Sequence, residues 1–329
     1  MKISVSYFAR VLTMMSLLLS PVAHLWGSSN TPPAPLVESI NQNLESFNIP
    51  GASITVIDNG KITWASGFGY ADLSVRKAVT KDTLFQAASI TKTLTSLAAL
   101  KTLDKNQISL DAVVNDHLTR WQIPPNSFTE ESPISFRMLL NHTGGISNPY
   151  PDGCCGPDYS LPSLIQVFRG EPPATNPPLV ATYLPGSEYR YCNGCYAVIQ
   201  GVLEDISGKG FEALLNESVL KPAKMDASKF DNEFFLSDRS SIALPYDPDH
   251  VVYQNAPMRN PILSTGTLWT TASDLARFNL HLTDALDEGN DLIEEALARE
   301  LMLPSSTETR TLGFYIGNKN AQTQADGGY

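Results

Sequence analysis

A β-hairpin is predicted by the segment Ala52-Ser-Ile-Thr-Val-Ile57, Asp58-Asn-Gly60, Lys61-Ile-Thr-Trp-Ala65. Two runs rich in β-branched and aromatic residues flank an Asn-Gly pair, which is the strongest short-range signal for two antiparallel strands joined by a tight turn. Upstream of the hairpin, apolar residues recur at helical spacing over residues 36–47 and predict a short amphipathic helix. The chain is therefore expected to begin its fold with a helix and a pair of strands.

Downstream of the hairpin, the sequence is mainly of helical character. Residues 84–103 are small and apolar without a polar face, which predicts a buried helix. Residues 106–118 have the pattern of a short turn and a helix. Further helical patterns cover residues 196–207, 210–220, 273–283 (with Thr271 or Ser273 as the cap) and 284–302, and residues 312–316 have the pattern of a strand. Strands at both ends and helices between them predict an α+β fold, in which an antiparallel sheet is flanked by helices and the two ends share that sheet.

The domain organisation is predicted to be simple. Residues 1–27 have a basic flank, a short apolar run and small residues after it, which is the pattern of an export signal; a retained N-terminal anchor is the alternative. Residues 28–35 are a Pro-containing linker, and residues 36–329 form one domain with a loop-rich, Pro-rich lobe at about 104–190. No apolar run reaches the ~18 residues of a membrane-spanning helix.

Composition excludes several classes of function. The 329 residues carry 23 Lys and Arg against 34 Asp and Glu, for a net charge of −11. Nucleic-acid binding needs clustered cations, and no run of Lys or Arg occurs in the chain. With 42% hydrophobic and 17% charged residues, the chain is neither disordered nor a coiled coil.

Four cysteines occur as two close pairs, Cys154 with Cys155 and Cys192 with Cys195. Four cysteines allow three pairings, which the sequence does not separate. In an exported protein disulfides are favoured over zinc, because directly adjacent cysteines suit a four-thiolate zinc site poorly.

The pattern Ser-x-x-Lys occurs three times, beginning at Ser74, Ser89 and Ser218. On a helix this spacing places a hydroxyl and an amine on one face, where a lysine removed from water can help to deprotonate the serine. Only Ser89 and Lys92 open an apolar helix, in which burial would lower the pKa of the amine. The alternative interpretation is a helix-capping serine followed by a lysine that extends to solvent.

The pattern Tyr-x-Asn occurs twice, at Tyr191-Cys-Asn193 and Tyr253-Gln-Asn255. The first precedes an apolar helix, so that its phenol and amide project from a rigid helix start. A phenol beside a lysine cation can act as a general base; the alternative is an ordinary half-buried tyrosine. No serine lies in a G-x-S-x-G context and no H-E-x-x-H spacing is present.

These residues together resemble the serine β-lactamase-related superfamily, which includes class C β-lactamases, D-alanyl-D-alanine carboxypeptidases, D-aminopeptidases and family VIII esterases. The matching pieces run in the family's order from residue 49 to residue 314. They are Ile49-Pro-Gly51, Gly67-Phe-Gly-Tyr-Ala-Asp72, Thr83-Leu-Phe-Gln-Ala-Ala-Ser-Ile-Thr-Lys92, Leu110-Asp-Ala-Val113, Leu139-Leu-Asn-His-Thr-Gly-Gly145, Pro185-Gly186, Tyr191-Cys-Asn-Gly-Cys-Tyr196, Thr265-Gly-Thr-Leu-Trp-Thr-Thr-Ala-Ser-Asp-Leu-Ala-Arg-Phe278 and Leu312-Gly-Phe314.

The resemblance implies a role for each candidate residue. Ser89 would be the acylated nucleophile, Lys92 its activating partner and Tyr191 the general base or proton shuttle. Asn193 would hydrogen-bond the substrate, and the Ser89 N–H would supply half of an oxyanion hole. The resemblance implies a β-lactamase/DD-peptidase-like fold with a mostly helical second lobe, and neither a metal nor an organic cofactor.

Two features depart from the family pattern. Cys192 and Cys195 stand where Ser and Gly are usual, and we hypothesise that either one forms a disulfide with Cys154 or Cys155. The family's Lys/His-x-Gly element has only Asp326-Gly-Gly328 as a candidate, just before the last residue. The expectation is therefore a domain truncated at its C-terminus, without the last strands and helix and without half of the oxyanion hole.

The expected function is that of an exported serine hydrolase that acts through a Ser89 acyl-enzyme on amide, β-lactam or ester bonds. Its substrate would be a small molecule or a peptide, with no membrane span after signal removal; the oligomeric state stays open. The alternative is a catalytically inactive family member that binds peptidoglycan-like or peptide ligands.

Overall fold

The computed structural model describes residues 31–149, 160–230, 239–253, 259–304 and 311–314. Its helices are α1 (Ala34–Ser46), α2 (Thr91–Lys105), α3 (Ser127–Glu131), α4 (Phe136–Leu140), α5 (Leu164–Arg169), α6 (Asn193–Ser207), α7 (Phe211–Leu215), α8 (Ala272–Glu288) and α9 (Glu295–Met302). Its strands are β1 (Gly51–Asp58), β2 (Lys61–Asp72), β3 (Lys77–Ala78), β4 (Phe85–Gln86) and β5 (Trp269–Thr270). The predicted signal segment 1–27, Cys154, Cys155 and the candidate Asp326-Gly-Gly328 lie outside the described residues.

The first sheet is antiparallel, with strand order β1-β2-β3. The predicted hairpin is confirmed: Asn59 and Gly60 both have positive φ, 49° and 71°, as the tight turn between twisted strands requires. Val56 pairs with Trp64, and both pack with the apolar face of α1. The neighbouring Thr55 points to the opposite face.

On that opposite face of the sheet lies α8. The Thr55 Oγ1 atom is 3.1 Å from the Ser273 Oγ atom at the start of α8. Helices thus cover both faces of the antiparallel sheet, and the predicted α+β class is confirmed.

The helical lobe surrounds α2, which is buried on every side from Thr91 to Leu100. This helix packs against α6, α7 and α9. The prediction of a buried helix is confirmed, but its start at residue 84 is wrong. Phe85 and Gln86 instead pair with Thr270 and Trp269 across the chain, because a strand partner from a distant segment overrides the local helical pattern.

Other differences from the sequence prediction occur where the chain turns. Residues 284–302 are not one helix: α8 extends to Glu288, and α9 begins only at Glu295. Residues 106–118 consist of turns and a short 3-10 helix at Val114–Asp116, where a turn and a helix were predicted. Of the predicted strand at 312–316, residues 312 and 313 form a bend, and residues 315 and 316 lie outside the described residues. The loop-rich lobe also contains three short helices, α3, α4 and α5.

Among the described residues, none of the helices combines the length and the apolar character needed to cross a membrane.

Candidate active site

Ser89 and Lys92 meet at the entrance to α2. Ser89 lies in a 3-10 turn, Ala88–Ile90, that leads directly into this helix, and Lys92 is the helix's second residue. The Lys92 Nζ atom lies 3.1 Å from the Ser89 Oγ atom and donates a hydrogen bond to the Thr265 carbonyl at 2.7 Å. Lys92 is only 3% exposed, so it does not extend to solvent. The spacing of three residues therefore brings the amine to the hydroxyl, as the sequence predicted.

The environment of Lys92 favours the neutral form of its amine. Burial lowers the pKa of this amine from 10.5 to about 7, because the protonated form loses its hydration. The rings of Tyr191 and Tyr196 face the ammonium at 4.9 and 5.7 Å, and their electron-rich faces attract a cation. A pKa near 7 allows this amine to be neutral beside Ser89 at neutral pH.

Tyr191 approaches Ser89 from a different part of the chain. Its phenol donates a hydrogen bond to the Ser89 Oγ atom at 2.6 Å, across a separation of 102 residues. Tyr191 is 43% exposed, so the hydroxyl group of Ser89 lies at the edge of solvent. The other candidate tyrosine, Tyr253, is 52% exposed, and Asn255 lies outside the described residues.

Asn193 lies two residues after Tyr191, as the first residue of α6. It is half-buried, and its side chain makes no hydrogen bond within the described part of the chain. Three of the four predicted residues thus converge on one oxygen atom, and the fourth lies on the adjoining helix start.

The two other Ser-x-x-Lys pairs do not form such a site. The Ser74 Oγ atom donates to the Asp72 carboxylate, and the nearby Lys77 amine binds a backbone carbonyl at the surface. Ser218 donates to the Leu214 carbonyl of its own helical turn. In both pairs the serine hydroxyl donates to an acceptor in its own segment and not to the lysine's site. Ser89 is therefore the candidate nucleophile.

The backbone before Ser89 has an uncommon conformation. Ala88 has a φ of 44°, which alanine rarely adopts and which is often found near active sites. Thr91 holds this turn, since its hydroxyl donates to the Ala88 carbonyl at 2.7 Å and accepts the Leu268 N–H at 3.2 Å. The flanking segments therefore fix the direction of the Ser89 side chain and its N–H.

The structure adds one residue, His142, which the sequence offers only as part of the matched piece from Leu139 to Gly145. His142 is 7% exposed, and its ring centroid lies 4.7 Å from that of Tyr191. Its Nδ1 atom accepts the Cys192 N–H at 3.0 Å. The available signal was its place in the motif Asn141-His-Thr-Gly-Gly145, which by itself carries no chemistry.

The cysteine hypothesis is corrected. Cys192 is joined to Cys195 by a disulfide, so neither residue pairs with Cys154 or Cys155. Cys192 caps α6 and Cys195 lies in its first turn, which brings the two Cα atoms within 5.3 Å. Tyr191 and Asn193 flank the first of these cysteines directly.

Comparisons with known proteins agree with this architecture. Protein flp of Staphylococcus aureus (strain COL) is 23% identical over 290 residues, which are 88% of this chain and 54% of flp. The D-aminopeptidase of Brucella anthropi is 28% identical over 198 residues, which are 59% of this chain and 35% of that enzyme. The chain thus spans about half the length, or less, of these relatives.

Two solved structures share the fold. The octameric penicillin-binding protein homologue from Pyrococcus abyssi has a TM-score of 0.68 at 24% identity, over 83% of this chain and 60% of that one. EstCE1, described as a hydrolase with promiscuous acyltransferase activity, also has a TM-score of 0.68, at 21% identity over 85% of this chain and 82% of its own.

The family profile described as Beta-lactamase matches residues 36–329, which is most of the chain. With this match and the fold it shares, the chain belongs to the Beta-lactamase family, within the serine β-lactamase-related superfamily.

Proposed function

We propose that this protein is a serine hydrolase that acts through an acyl-enzyme on Ser89. One observation carries the proposal: the Lys92 Nζ and Tyr191 Oη atoms both lie within hydrogen-bond distance of the Ser89 Oγ atom, at 3.1 and 2.6 Å. A nucleophile with an adjacent base is the arrangement that covalent catalysis requires.

The first step is deprotonation and attack. The neutral form of Lys92 accepts the Ser89 hydroxyl proton, because its pKa near 7 lets it act as a base at neutral pH. The Ser89 oxygen then bonds to the substrate carbonyl carbon, and the carbonyl π electrons move to the oxygen. We assign the Ser89 N–H as a donor to that oxyanion, whose charge it would stabilise.

The second step is loss of the leaving group. Tyr191 donates its phenolic proton to the leaving nitrogen or oxygen and regains one from Lys92, while the C–N or C–O bond breaks. The same groups then remove a proton from water, whose oxygen bonds to the ester carbon. The bond from that carbon to the Ser89 oxygen breaks, the proton returns to the Ser89 oxygen, and the acid is released. Asn193, whose side chain makes no hydrogen bond within the described residues, orients the substrate amide or carbonyl.

The substrate class follows from the same groups. Amide, β-lactam and ester bonds all place a carbonyl carbon beside a leaving group that one phenol can protonate. The names of the relatives, a D-aminopeptidase and a hydrolase with acyltransferase activity, support both amide and ester chemistry. We propose that the substrate is a small molecule or a peptide, and that the export signal at residues 1–27 directs the protein out of the cytoplasm.

The test is intact mass spectrometry after incubation with a slowly deacylating β-lactam, together with the burst of p-nitrophenol from p-nitrophenyl acetate. We expect an adduct or a burst with the wild-type protein and none with Ser89→Ala. Ser74→Ala is the matched control, since Ser74 belongs to an exposed Ser-x-x-Lys pair, and it is expected to react like the wild type.

An adduct that persists in Ser89→Ala would contradict the proposal. If the wild-type protein binds the β-lactam without either covalent signal, the inactive, ligand-binding alternative is correct instead. The mass of the exported wild-type protein also reports whether residues 1–27 have been removed.

A further inference from the structure

The buried ring of His142 lies among three tyrosines. The ring centroids of Tyr191, Tyr196 and Tyr189 lie 4.7, 5.1 and 5.8 Å from that of His142. The first two rings are tilted by only 32° and 36°, so they stack on the imidazole, and the third meets it at 84°. Packing therefore limits how far the Tyr191 ring can rotate.

Residue 142 also holds the backbone on both sides of Tyr191. The His142 carbonyl accepts the Arg190 N–H at 3.0 Å. The His142 Nδ1 atom accepts the Cys192 N–H, also at 3.0 Å. The N–H groups of Arg190 and Cys192 are thus both hydrogen-bonded to His142. The imidazole ring packs on the side chain of Tyr191, which lies between them in the sequence.

This arrangement specifies the chemical form of the ring. Nδ1 accepts a backbone N–H, so it carries a lone pair, and the ring proton lies on Nε2. A protonated imidazole would place a second N–H against that of Cys192. Only the neutral form maintains the contact.

The loop that carries His142 is itself fixed. Asn141 accepts hydrogen bonds from both the N–H and the hydroxyl of Thr143, and the Thr143 carbonyl accepts the Gly186 N–H at 2.8 Å. The φ of His142 is +64°, a conformation that asparagine also adopts readily. The backbone that carries the imidazole is therefore held by hydrogen bonds that do not involve Tyr191.

We propose that His142 is a positioning residue for the proton transfer at Ser89, because its Nδ1 atom, its carbonyl and its ring together hold Tyr191 with its phenol on the Ser89 oxygen. This inference rests on the proposed role of Tyr191. His142 does not touch Ser89 and acts only through the tyrosine.

The test compares two substitutions that separate the acceptor from the ring. His142→Asn retains an acceptor, because Oδ1 of asparagine occupies a place similar to that of Nδ1, and it tolerates the positive φ. His142→Phe retains a ring but leaves the Cys192 N–H without its acceptor. His117→Phe is the matched control, because His117 is a second histidine whose ring packs on an aromatic side chain, that of Phe136.

Turnover of p-nitrophenyl acetate, which includes the deacylation step in which Tyr191 also acts, is measured as kcat and KM for each variant, with Tyr191→Phe in the same assay. We expect His142→Phe to lower kcat about 10²-fold with KM within about twofold, since small displacements of a catalytic group have effects of that size. His142→Asn should recover at least tenfold of this loss, and His117→Phe should match the wild type. Near-ultraviolet circular dichroism verifies that each variant is folded.

Equal kcat for His142→Phe and the wild type would overturn the inference, as would equal losses in the Asn and Phe variants. Failure of the proposed function is distinguishable, because then neither Tyr191→Phe nor Ser89→Ala would differ from the wild type. In that case the inference is tested by crystal structures of the wild-type protein and of the His142 variants. A Tyr191 Oη to Ser89 Oγ distance beyond 3.5 Å in His142→Phe alone supports it, and an unchanged distance refutes it.

Discussion

Replacing Lys92 by methionine should make the protein more stable at low pH and less stable at high pH. Burial lowers the pKa of Lys92 from 10.5 to about 7, so below pH 7 the folded protein pays about 5 kcal/mol to hold a protonated amine in its interior. Methionine keeps most of the apolar stem and carries no charge. The Lys92→Met variant therefore avoids the free-energy cost of burying a charged amine.

The substitution also removes favourable contacts. The Lys92 amine bonds to the Ser89 hydroxyl and to the buried Thr265 carbonyl, and the loss of both costs about 3 kcal/mol in total. The net expectation at pH 6 is a variant more stable by about 2 kcal/mol. Between pH 7 and 10, only the unfolded lysine stays protonated. The wild-type protein therefore gains about 1.4 kcal/mol per pH unit relative to the variant, and the difference changes sign near pH 8.5.

Urea unfolding followed by tryptophan fluorescence at pH 6, 7.5 and 9 gives the free energies of unfolding. Lys105→Met, at the exposed end of the same helix, is the matched control and should change the stability by no more than about 0.5 kcal/mol at each pH. If Lys92→Met were less stable at pH 6, or if the difference were the same at pH 6 and 9, the assignment of a destabilising buried amine would be refuted.

Three further expectations concern the same site. The acylation rate should rise with pH up to about 7 and then level off, because only the neutral amine of Lys92 is a base; a flat stopped-flow profile from pH 5.5 to 8 would contradict this. Removing the Cys192–Cys195 disulfide by a double alanine substitution should lower the free energy of unfolding by about 2 kcal/mol for so short a loop, and an unchanged urea midpoint would argue against it. Gly194→Ala should destabilise by about 3 kcal/mol, because its Cβ would lie 2.1 Å from the Ser147 carbonyl oxygen; an unchanged melting temperature would show that the loop can move aside.

The parts of the site that could be predicted from sequence are those with local causes. The Ser89 and Lys92 pair follows from a spacing of three residues on an apolar helix, and Tyr191 from its place at a helix start. The hairpin follows from its Asn-Gly turn. In the hairpin and in the Ser89 and Lys92 pair, neighbouring residues determine the geometry. The contact of Tyr191 with Ser89 spans 102 residues, and its role was expected only from the family resemblance.

The parts that could not be predicted depend on distant segments. The positive φ of Ala88 depends on a distant segment, since the Thr91 hydroxyl that bonds to the Ala88 carbonyl is itself bonded by the Leu268 N–H. The role of His142 requires knowing that its loop docks against the start of α6. Phe85 becomes a strand residue only because Thr270 pairs with it.

The hydrogen bonds around Ser89 also have a consequence for biosynthesis. The contact of Lys92 with Thr265 spans 173 residues, and that of Tyr191 with Ser89 spans 102. A nascent chain cannot complete this cluster until residue 265 has left the ribosome and three separate segments have docked. Closing such long loops is entropically costly and late in folding. Covalent capture of a substrate analogue would therefore report complete folding of the helical lobe, and a pulse of such an analogue during translation could time that event.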